Sequence, residues 1–405
     1  MRVCIVTVAS YAHGIGGMQA HALDLGRGLV RAGHEVEVIA SRHPEGLEQT
    51  EHEGIRWHFV DAPSRRRHMP MRHPAWLRLS SEAFVQLHNA RPFDVVHSES
   101  TSALGLLRRN IHRRVPVVAK FHGNFLGLTR QAMRRAREDP TPRSIIRESK
   151  YVAWVAGAHF LTPGNFYRFR ACEAMVPSRQ QFEDTRRSML LERARMHVVP
   201  NGIDVDEYTP QEQDGARTTI GLNGGPLLVT VGRLNREKGV DHAIRSLQQL
   251  PEAQLAVVGS GEELGELQRL VRELGLEGRV TFAGRQPPDV VKLYLAAADV
   301  FLFPTIRDEA APIVLLEAMA SARPVIASCL GGIPEVIDHP GENGILVQPG
   351  APAAIASAVR SLLADENMRA AIGRGARARI HAEYSLERMI ERTIAVYRRA
   401  SERLG

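Results

Sequence analysis

Apolar residues along this 405-residue chain form short continuous runs, separated by stretches in which apolar positions recur three and four residues apart. The runs predict strands covered on both faces, and the spaced stretches predict amphipathic helices. The predicted strands are 3–8, 35–40, 95–97, 115–121 and 197–199 in the first half, and 227–231, 254–259, 280–283, 300–303 and 325–327 in the second. This alternation favours an α/β fold with parallel sheets and right-handed crossovers.

A polar segment at 204–225, rich in Gly, Asp and Gln, interrupts the alternation. It predicts a linker between two doubly wound halves. The last segment, 385–404, predicts an amphipathic helix with Leu386, Met389 and Ile390 on its apolar face. No strand follows this helix, so we expect it to pack on a sheet that is already formed.

Composition excludes several classes of protein. With 44% hydrophobic and 24% charged residues, the chain is globular rather than collagen-like, coiled-coil or disordered. Its three cysteines, Cys4, Cys172 and Cys329, are too few and too far apart for a disulfide framework or a CxxC metal site. No apolar run approaches the roughly 20 residues that span a bilayer, and the N-terminal run is shorter than a signal peptide. A cytoplasmic protein is therefore expected.

Charge is divided unevenly between the two halves. Residues 1–200 contain 30 lysines and arginines against 18 aspartates and glutamates, a net charge of +12, and the remainder carries −5. A basic first half favours an anionic partner such as a phosphate, a nucleic acid or a lipid surface. All but four of the basic residues are arginines, and a genome-wide composition bias explains the excess equally well.

Two glycine-rich turns follow predicted strands. Gly16 and Gly17 precede a predicted helix, where glycine lets backbone N–H groups approach a phosphate or a hydroxyl-rich ligand. Gly259 and Gly261 open another helix in a similar way. A plain strand-to-helix turn is the alternative at both places, and a Rossmann redox site is disfavoured because neither first strand carries a full GxGxxG motif.

A basic loop follows the strand 227–231. Arg233 and Lys238 stand at a strand end just before a helix, which favours a clamp for a diphosphate, whereas Arg236 is interpreted as a solvated loop residue. An exposed turn remains the alternative.

Two glutamates flank the loop after the strand 300–303. Glu309 precedes a predicted helix and Glu317 lies in its second turn. The helix amides near Ile313 and Val314 are placed to face a phosphate, which the helix dipole favours. Glu309 is then a candidate for sugar hydroxyls and Glu317 for ribose hydroxyls, although two glutamates at this spacing also occur by chance.

His122 follows a buried strand, and a histidine in that place is either a site residue or a structural one. Asp204 and Asp206 form a DxD pair, which we interpret as turn chemistry because it follows Pro200-Asn201-Gly202. No HExxH, P-loop lysine or cysteine–histidine cluster occurs in the sequence, so no metal site is predicted.

Taken in order, these segments resemble the retaining family 4 glycosyltransferases, whose GT-B fold places two Rossmann-like domains across a cleft. The resemblance rests on Gly16-Gly17-Met18-Gln19, Asp94-Val95-Val96-His97, Phe121-His122-Gly123, Pro200-Asn201-Gly202-Ile203-Asp204, Val231-Gly232-Arg233-Leu234 with Lys238-Gly239, Glu309 to Glu317, Gly331-Gly332-Ile333-Pro334-Glu335 and Glu342-Asn343-Gly344. Ala310 departs from the family's usual glycine, which narrows the approach of the donor sugar. The first half matches less, as a domain that binds a variable acceptor would.

The resemblance implies an acceptor-binding domain at 1–205 plus 386–405 and a nucleotide-sugar-binding domain at 206–385, with the last helix returning to the first domain. It implies transfer of a sugar from a nucleotide-diphosphate sugar, of the UDP or GDP type, to an acceptor hydroxyl with retention and without a metal or other cofactor. The catalytic candidates are His122, Arg233, Lys238 and Glu309. The donor-binding candidates are Gly16, Gly17, Gly261, Arg285, Ala311, Pro312, Ile313, Val314 and Glu317, and the acceptor-binding candidates are Asn124, Arg134 and Arg135.

The basic clusters at 65–68 and 130–150 then acquire a role in drawing in a phosphorylated acceptor or touching an anionic membrane surface, with a solvated loop as the alternative. Two rival functions stay open: a sugar-nucleotide epimerase, and a basic surface-binding protein with a degenerate site. Nucleic acid is disfavoured as a partner because aromatic residues make up only 5% of the chain and the second half is acidic.

Overall fold

The computed structural model of the protein describes residues 1–13, 17–63, 73–123, 129, 132–133, 136, 141–160, 169, 172–222 and 224–404, without the side chains of 143–144 and 154–160. The chain divides into two compact units. The first comprises Met1–Gly202 with Leu386–Gly405, and the second comprises Ile203–Ser385.

The first unit contains, within the described residues, an eight-stranded sheet of order β3-β4-β2-β1-β5-β6-β7-β8. Its strands are β1 Arg2–Val6, β2 Glu35–Ser41, β3 Gln49–His52, β4 Ile55–Val60, β5 Val95–Glu99, β6 Val117–Lys120, β7 Glu173–Val176 and β8 Met196–Val198. All neighbours pair in parallel except β3 with β4. Strand order reverses direction between β1 and β5, and open α/β sheets bind ligands at such a point.

The second unit contains a six-stranded parallel sheet of order β11-β10-β9-β12-β13-β14. Its strands are β9 Leu227–Val231, β10 Gln254–Val258, β11 Val280–Gly284, β12 Val300–Phe303, β13 Val325–Ser328 and β14 Ile345–Val347. This is the doubly wound order of a Rossmann-like domain, and its reversal point lies between β9 and β12.

Helices follow most of the strands, as the alternation predicted. In the first unit they are Gly17–Arg31, Pro74–Ala90, Leu104–Arg108, Pro142–Phe160, Arg179–Met189 and Leu386–Glu402. In the second unit they are Gln213–Ile220, Val240–Ser246, Leu264–Glu273, Pro288–Ala297, Ile313–Ala320, Ile333–Val336, Pro352–Ala364 and Glu366–Glu383. The two-domain α/β architecture predicted from the sequence is confirmed.

The predicted linker at 204–225 was wrong. Ile203 and Val205 are buried in the core of the second unit, and Gln213–Ile220 is a helix capped by the Glu212 side chain and by Gly221 in the left-handed conformation. Arg217 ties this helix to Asp299 and to the carbonyl oxygen of Ala297. Most of the surface of this helix is exposed, so its residues are mostly polar. The segment therefore lacks the apolar pattern from which a helix is predicted. The DxD interpretation holds, because the Asp206 N–H donates to Asp204 Oδ1 in a local turn.

The C-terminal helix packs against the sheet of the first unit. Leu386, Met389, Ile390 and Tyr397 are buried in the same core cluster as β1 and β2, as the apolar face of this helix predicted. Among the described residues, no helix combines the length and the hydropathy that spanning a bilayer requires.

Candidate active site

The loop after β9 carries the two predicted cations of the second unit. Lys238 Nζ lies 2.7 Å from Glu309 Oε1 and 5.4 Å from the centre of the Phe303 ring. Arg233 is exposed and donates to Glu262 Oε2 at 3.1 Å. A shallow surface pocket lies beside this loop and is lined by Gly232, Arg233, Lys238, Phe303 and Pro304, among others. Both cations therefore flank one pocket at the sheet's reversal point.

Glu309 is held in place by contacts from two directions. The backbone N–H of Ile306 and the Thr305 hydroxyl both donate to the Glu237 carbonyl oxygen, which fixes the β12 loop against the Lys238 turn. On the other side, Gly332 N–H donates to the Glu309 carbonyl oxygen at 2.6 Å. The carboxylate of Glu309 is thus delivered to Lys238 by a loop with little freedom.

The helix Ile313–Ala320 begins directly after Pro312, which is its N-cap residue. The first-turn amides, including those of Ile313 and Val314, have no carbonyl partner within the helix and carry the positive end of its dipole. Ala311 and Pro312 are buried beneath this turn. The helix start can therefore accept an anion beside the Lys238–Glu309 pair.

Glu317 lies one turn further along the same helix. Tyr208 Oη donates to Glu317 Oε1 at 2.8 Å, and Lys292 Nζ stands 5.3 Å from the centre of the Tyr208 ring. Burial raises the pKa of Glu317 above its ordinary value. One carboxylate oxygen of Glu317 thus accepts a hydrogen bond from Tyr208.

Gly261 and Arg285 occupy neighbouring strand ends. A Cβ atom on Gly261 would meet the Leu234 carbonyl oxygen at 2.0 Å, so glycine is required where the β9 and β10 loops touch. Arg285 is exposed and directly follows β11, which is two strands from β9. Both residues lie at the carboxyl edge of the sheet, where the sequence placed them.

In the first unit, a buried polar cluster lies at the carboxyl ends of β5 and β6. Glu99 Oε1 is 2.9 Å from His21 Nδ1, and Glu99 Oε2 is 2.5 Å from His122 Nε2. His97 Nε2 stands 3.4 Å from Glu99 Oε1, and His97 Nδ1 is 2.8 Å from Tyr397 Oη. His122 thus belongs to a network that spans β5, β6 and two helices.

Charges in this cluster are strongly perturbed. Burial lowers the pKa of His21 to about 3 and that of Lys120 to about 7. Burial alone would raise the pKa of Glu99, but the charges and hydrogen bonds of His21 and His122 hold it well below its usual range. Lys120 is the residue paired with Glu99 across β5 and β6, and its Nζ lies 3.9 Å from Met389 Sδ.

Part of the predicted site lies outside the described residues. Gly16, Asn124, Arg134 and Arg135 are among these positions, as is the basic cluster at 65–68. Gly17 is described and begins the helix Gly17–Arg31, with open space around its α-carbon.

Sequence reasoning missed Glu99, His21, Lys120 and Tyr208. Glu99 and Lys120 end otherwise apolar strands, which was a usable signal, because charged residues at the carboxyl ends of buried parallel strands mark ligand sites. His21 and Tyr208 gave no local signal. They join the sites only through contacts with residues 78 and 109 positions away.

The comparisons with known proteins match both units. A family model described as glycosyl transferases group 1 matches residues 216–379, and one described as glycosyltransferase family 4 matches residues 15–207. A GDP-mannose-dependent alpha-(1-6)-phosphatidylinositol monomannoside mannosyltransferase of Mycolicibacterium smegmatis is 30% identical over 383 residues, 88% of each chain.

Solved structures show the same fold over nearly the full length. Sucrose-phosphate synthase from Thermosynechococcus elongatus superposes with a TM-score of 0.79 at 23% identity, covering 98% of both chains. Anabaena HepE, solved in complex with UDP and glucose, superposes with a TM-score of 0.72 at 20% identity, again covering 98% of both chains.

Proposed function

This chain belongs to the family 4 glycosyltransferases, the enzymes of glycosyl transferases group 1, and we propose that it transfers a sugar from a nucleotide-diphosphate sugar to an acceptor hydroxyl with retention of configuration. The observation that carries the proposal is the Lys238–Glu309 contact. It joins a cation and a carboxylate beside a helix start, at the reversal point of a Rossmann-like sheet.

Charge stabilisation is the main catalytic task in this proposal. Arg233 and Lys238 neutralise the charge that develops on the leaving diphosphate, and the amides of Ile313 and Val314 add the helix dipole. Such fixed charges act without reorganisation at the moment of reaction, and they usually supply the largest part of the rate enhancement. The second unit therefore binds the donor without a metal or other cofactor.

The bond changes take place on one face of the sugar. The bond between the anomeric carbon and the phosphate oxygen breaks, and the acceptor oxygen bonds to the anomeric carbon on the same face. The acceptor proton passes to a leaving phosphate oxygen, so no carboxylate acts as a nucleophile. Glu309 orients the donor sugar, Glu317 binds the ribose hydroxyls, and His122 lines the anomeric centre.

The donor is a UDP- or GDP-linked sugar. One relative is named for its use of GDP-mannose, and one structural neighbour was solved with UDP and glucose. Gly261 and Arg285, at the edge of the sheet beyond β9, flank the base in this proposal and are the residues that choose between the two nucleotides.

The acceptor carries negative charge, and the support for this is the net charge of +12 in residues 1–200. A free phosphorylated acceptor and a lipid-linked one share this chemistry. Sedimentation with anionic liposomes at low salt distinguishes them, because only a protein that contacts the membrane surface pellets with the vesicles.

The decisive experiment first identifies the donor from the nucleotide that the protein binds. It then compares the kinetics of Lys238→Met with those of the wild type, using that donor. We expect kcat to fall at least about a hundredfold, the range seen when one preorganised charge-stabilising group is removed. The product's anomeric configuration, read by proton NMR, should match that of the donor.

Arg236→Met is the matched control, because it removes a cation from the same turn and should leave kcat within about twofold. Wild-type turnover in Lys238→Met would contradict the proposal that Lys238 stabilises the leaving diphosphate. A product of inverted configuration would exclude transfer on the same face of the sugar. The rival epimerase activity is not favoured by the comparisons. It would appear as rearrangement of the donor without any acceptor present.

A further inference from the structure

Glu99 is a carboxylate with no exposed side-chain surface, and it is bonded to two histidines at once. One oxygen meets His21 on the helix Gly17–Arg31, and the other meets His122 after β6. His122 is the more accessible ring of the two, with 19% of its side chain exposed against 2% for His21. Glu99 therefore connects a ring that a substrate can reach to one that it cannot.

The hydrogen bonds fix the tautomer of each ring. An ionised carboxylate only accepts hydrogen bonds, so His122 Nε2 and His21 Nδ1 must both be donors. His122 is then left with Nδ1 as its one acceptor when the ring is neutral. Within the described part of the chain, Nδ1 of His122 has no hydrogen-bond partner.

The backbone around Glu99 is itself anchored. The Ser102 hydroxyl donates to the Glu99 carbonyl oxygen at 2.6 Å, and the Ala103 N–H donates to Ser98 Oγ at 2.9 Å. His97 is held from the far side by Tyr397 on the C-terminal helix. The carboxylate is thus presented from a rigid strand end rather than from a mobile loop.

Lys120 completes the cluster from the strand next to Glu99. The groups that face Glu99 from the elements around it are His21, His97, Lys120, His122 and Tyr397. Burial lowers the pKa values of His21 and His97, which leaves them neutral near pH 7. An isolated buried carboxylate is costly, and the hydrogen bonds that Glu99 accepts from His21 and His122 offset that cost.

His21, Glu99 and His122 also form a group of three metal-ligating side chains whose ligand atoms lie within 4.8 Å of one another. Both oxygens of Glu99 already accept a hydrogen bond from one of these rings, which favours the hydrogen-bonded arrangement. The metal-bound arrangement is the alternative that the experiments below distinguish.

We propose that Glu99 is the positioning residue of His122: by accepting from Nε2, it holds the ring so that Nδ1 faces the substrate as a hydrogen-bond acceptor. The substrate side of this inference rests on the proposed function, since His122 lines the anomeric centre there. Glu99 itself does not touch the substrate.

The tautomer is tested directly by NMR of protein labelled with ¹⁵N-histidine, with the His122 signals assigned from His122→Gln. Wild-type protein should show His122 protonated at Nε2 and not at Nδ1. In Glu99→Gln the amide offers one acceptor oxygen and one donor NH₂, so His21 and His122 cannot both donate, and at least one ring must change tautomer. This measurement stands even if no donor or acceptor is found.

Kinetics separates positioning from packing. Glu99→Gln should lower kcat at least about a hundredfold, because loss of the carboxylate that orients a catalytic histidine costs up to about 10⁴ in a serine protease. The donor KM should stay within about twofold. The matched control is Glu173→Gln, which alters another buried glutamate, bonded to His197 Nε2 at 2.6 Å in the same unit, and should leave kcat unchanged.

The double variant Glu99→Gln/Lys120→Met removes both buried ionisable side chains and guards against simple unfolding. We expect it to regain stability lost in Glu99→Gln without regaining kcat. Recovery of kcat in step with stability would overturn the proposal. So would a wild-type His122 protonated at Nδ1, or one equivalent of tightly bound metal that Glu99→Gln releases, because the rings would then be ligands rather than donors to Glu99.

Discussion

At the scale of single residues, the most unusual group is Lys120. It is a lysine with 1% of its surface exposed at the end of a buried strand, and burial lowers its pKa from 10.5 to about 7. Burial disfavours the charged form of the amine, so the free energy of unfolding depends on pH.

The direction of that dependence follows from the two pKa values. Between pH 7 and pH 10.5 the unfolded chain keeps a proton at Lys120 that the folded protein has released, so the stability of the folded protein rises with pH. Well below pH 7 both states hold the proton, so the effect of Lys120 on the free energy of unfolding no longer changes with pH.

We therefore predict that the free energy of unfolding of wild type, relative to Lys120→Met, rises by about 2 kcal/mol from pH 7 to pH 9. Urea unfolding followed by tryptophan fluorescence measures it. All three tryptophans, at 57, 76 and 154, lie in the first unit, so the signal reports on the unit that contains Lys120. A difference independent of pH would mean that Lys120 stays protonated throughout.

At the scale of elements, the loop that carries Glu309 depends on a glycine from a different loop. Gly331 has φ +62°, and a Cβ atom there would meet the Glu309 carbonyl oxygen at 2.4 Å and its nitrogen at 2.8 Å. The sequence offered Gly331-Gly332 as part of a family motif. Its physical role, which only the packing reveals, is to let the β13 loop close against Glu309.

Gly331→Ala should displace Glu309 from Lys238 and lower kcat about tenfold or more, with the fold retained. Gly275→Ala is the matched control. Gly275 has nearly the same φ, +65°, but no atom lies within 4 Å of its Cβ position. The left-handed conformation costs both variants about 1–2 kcal/mol, so any further loss of stability and the lower kcat of Gly331→Ala report on its contact with Glu309. Equal kcat in the two variants would contradict the supporting role.

Strand positions were predictable because buried parallel strands are continuous apolar runs. The helix Gln213–Ile220 was not predictable, because it is stabilised by capping and by Arg217 rather than by a broad apolar face. Four further strands were also missed: Gln49–His52, Ile55–Val60, Glu173–Val176 and Ile345–Val347. Three of these are only three or four residues long, and Ile55–Val60 alternates apolar with polar residues instead of forming a continuous apolar run.

At the scale of the whole molecule, Arg233, Lys238 and Glu309, which are proposed to bind the diphosphate sugar, belong to the second unit, whereas the tryptophans belong to the first. A nucleoside diphosphate at about 100 times its Kd should stabilise the unit that binds it by about 2.7 kcal/mol. Calorimetry should then show an upward shift with UDP or GDP and none with NAD. A panel of UDP, GDP, ADP, dTDP and NAD names the base.

The fluorescence transition, which reports on the first unit, should move less than the calorimetric transition of the second unit. A nucleotide that shifts only the fluorescence transition would place its binding site in the first unit, which contradicts the proposed site in the second. No shift with any of the five compounds would leave the Lys238–Glu309 pair without a ligand.

The sequence by itself determined the fold class and the family and predicted the residues of a donor site, because strands, glycine turns and strand-end charges are local patterns. Only the tertiary structure brought Glu99 to His21, 78 residues away, and His97 to Tyr397, 300 residues away. Those contacts depend on how the helix Gly17–Arg31 and the C-terminal helix pack on the sheet. The sequence predicted that the C-terminal helix packs on a sheet but not which side chains meet, because hydrogen bonds between distant segments depend on packing rather than on local spacing.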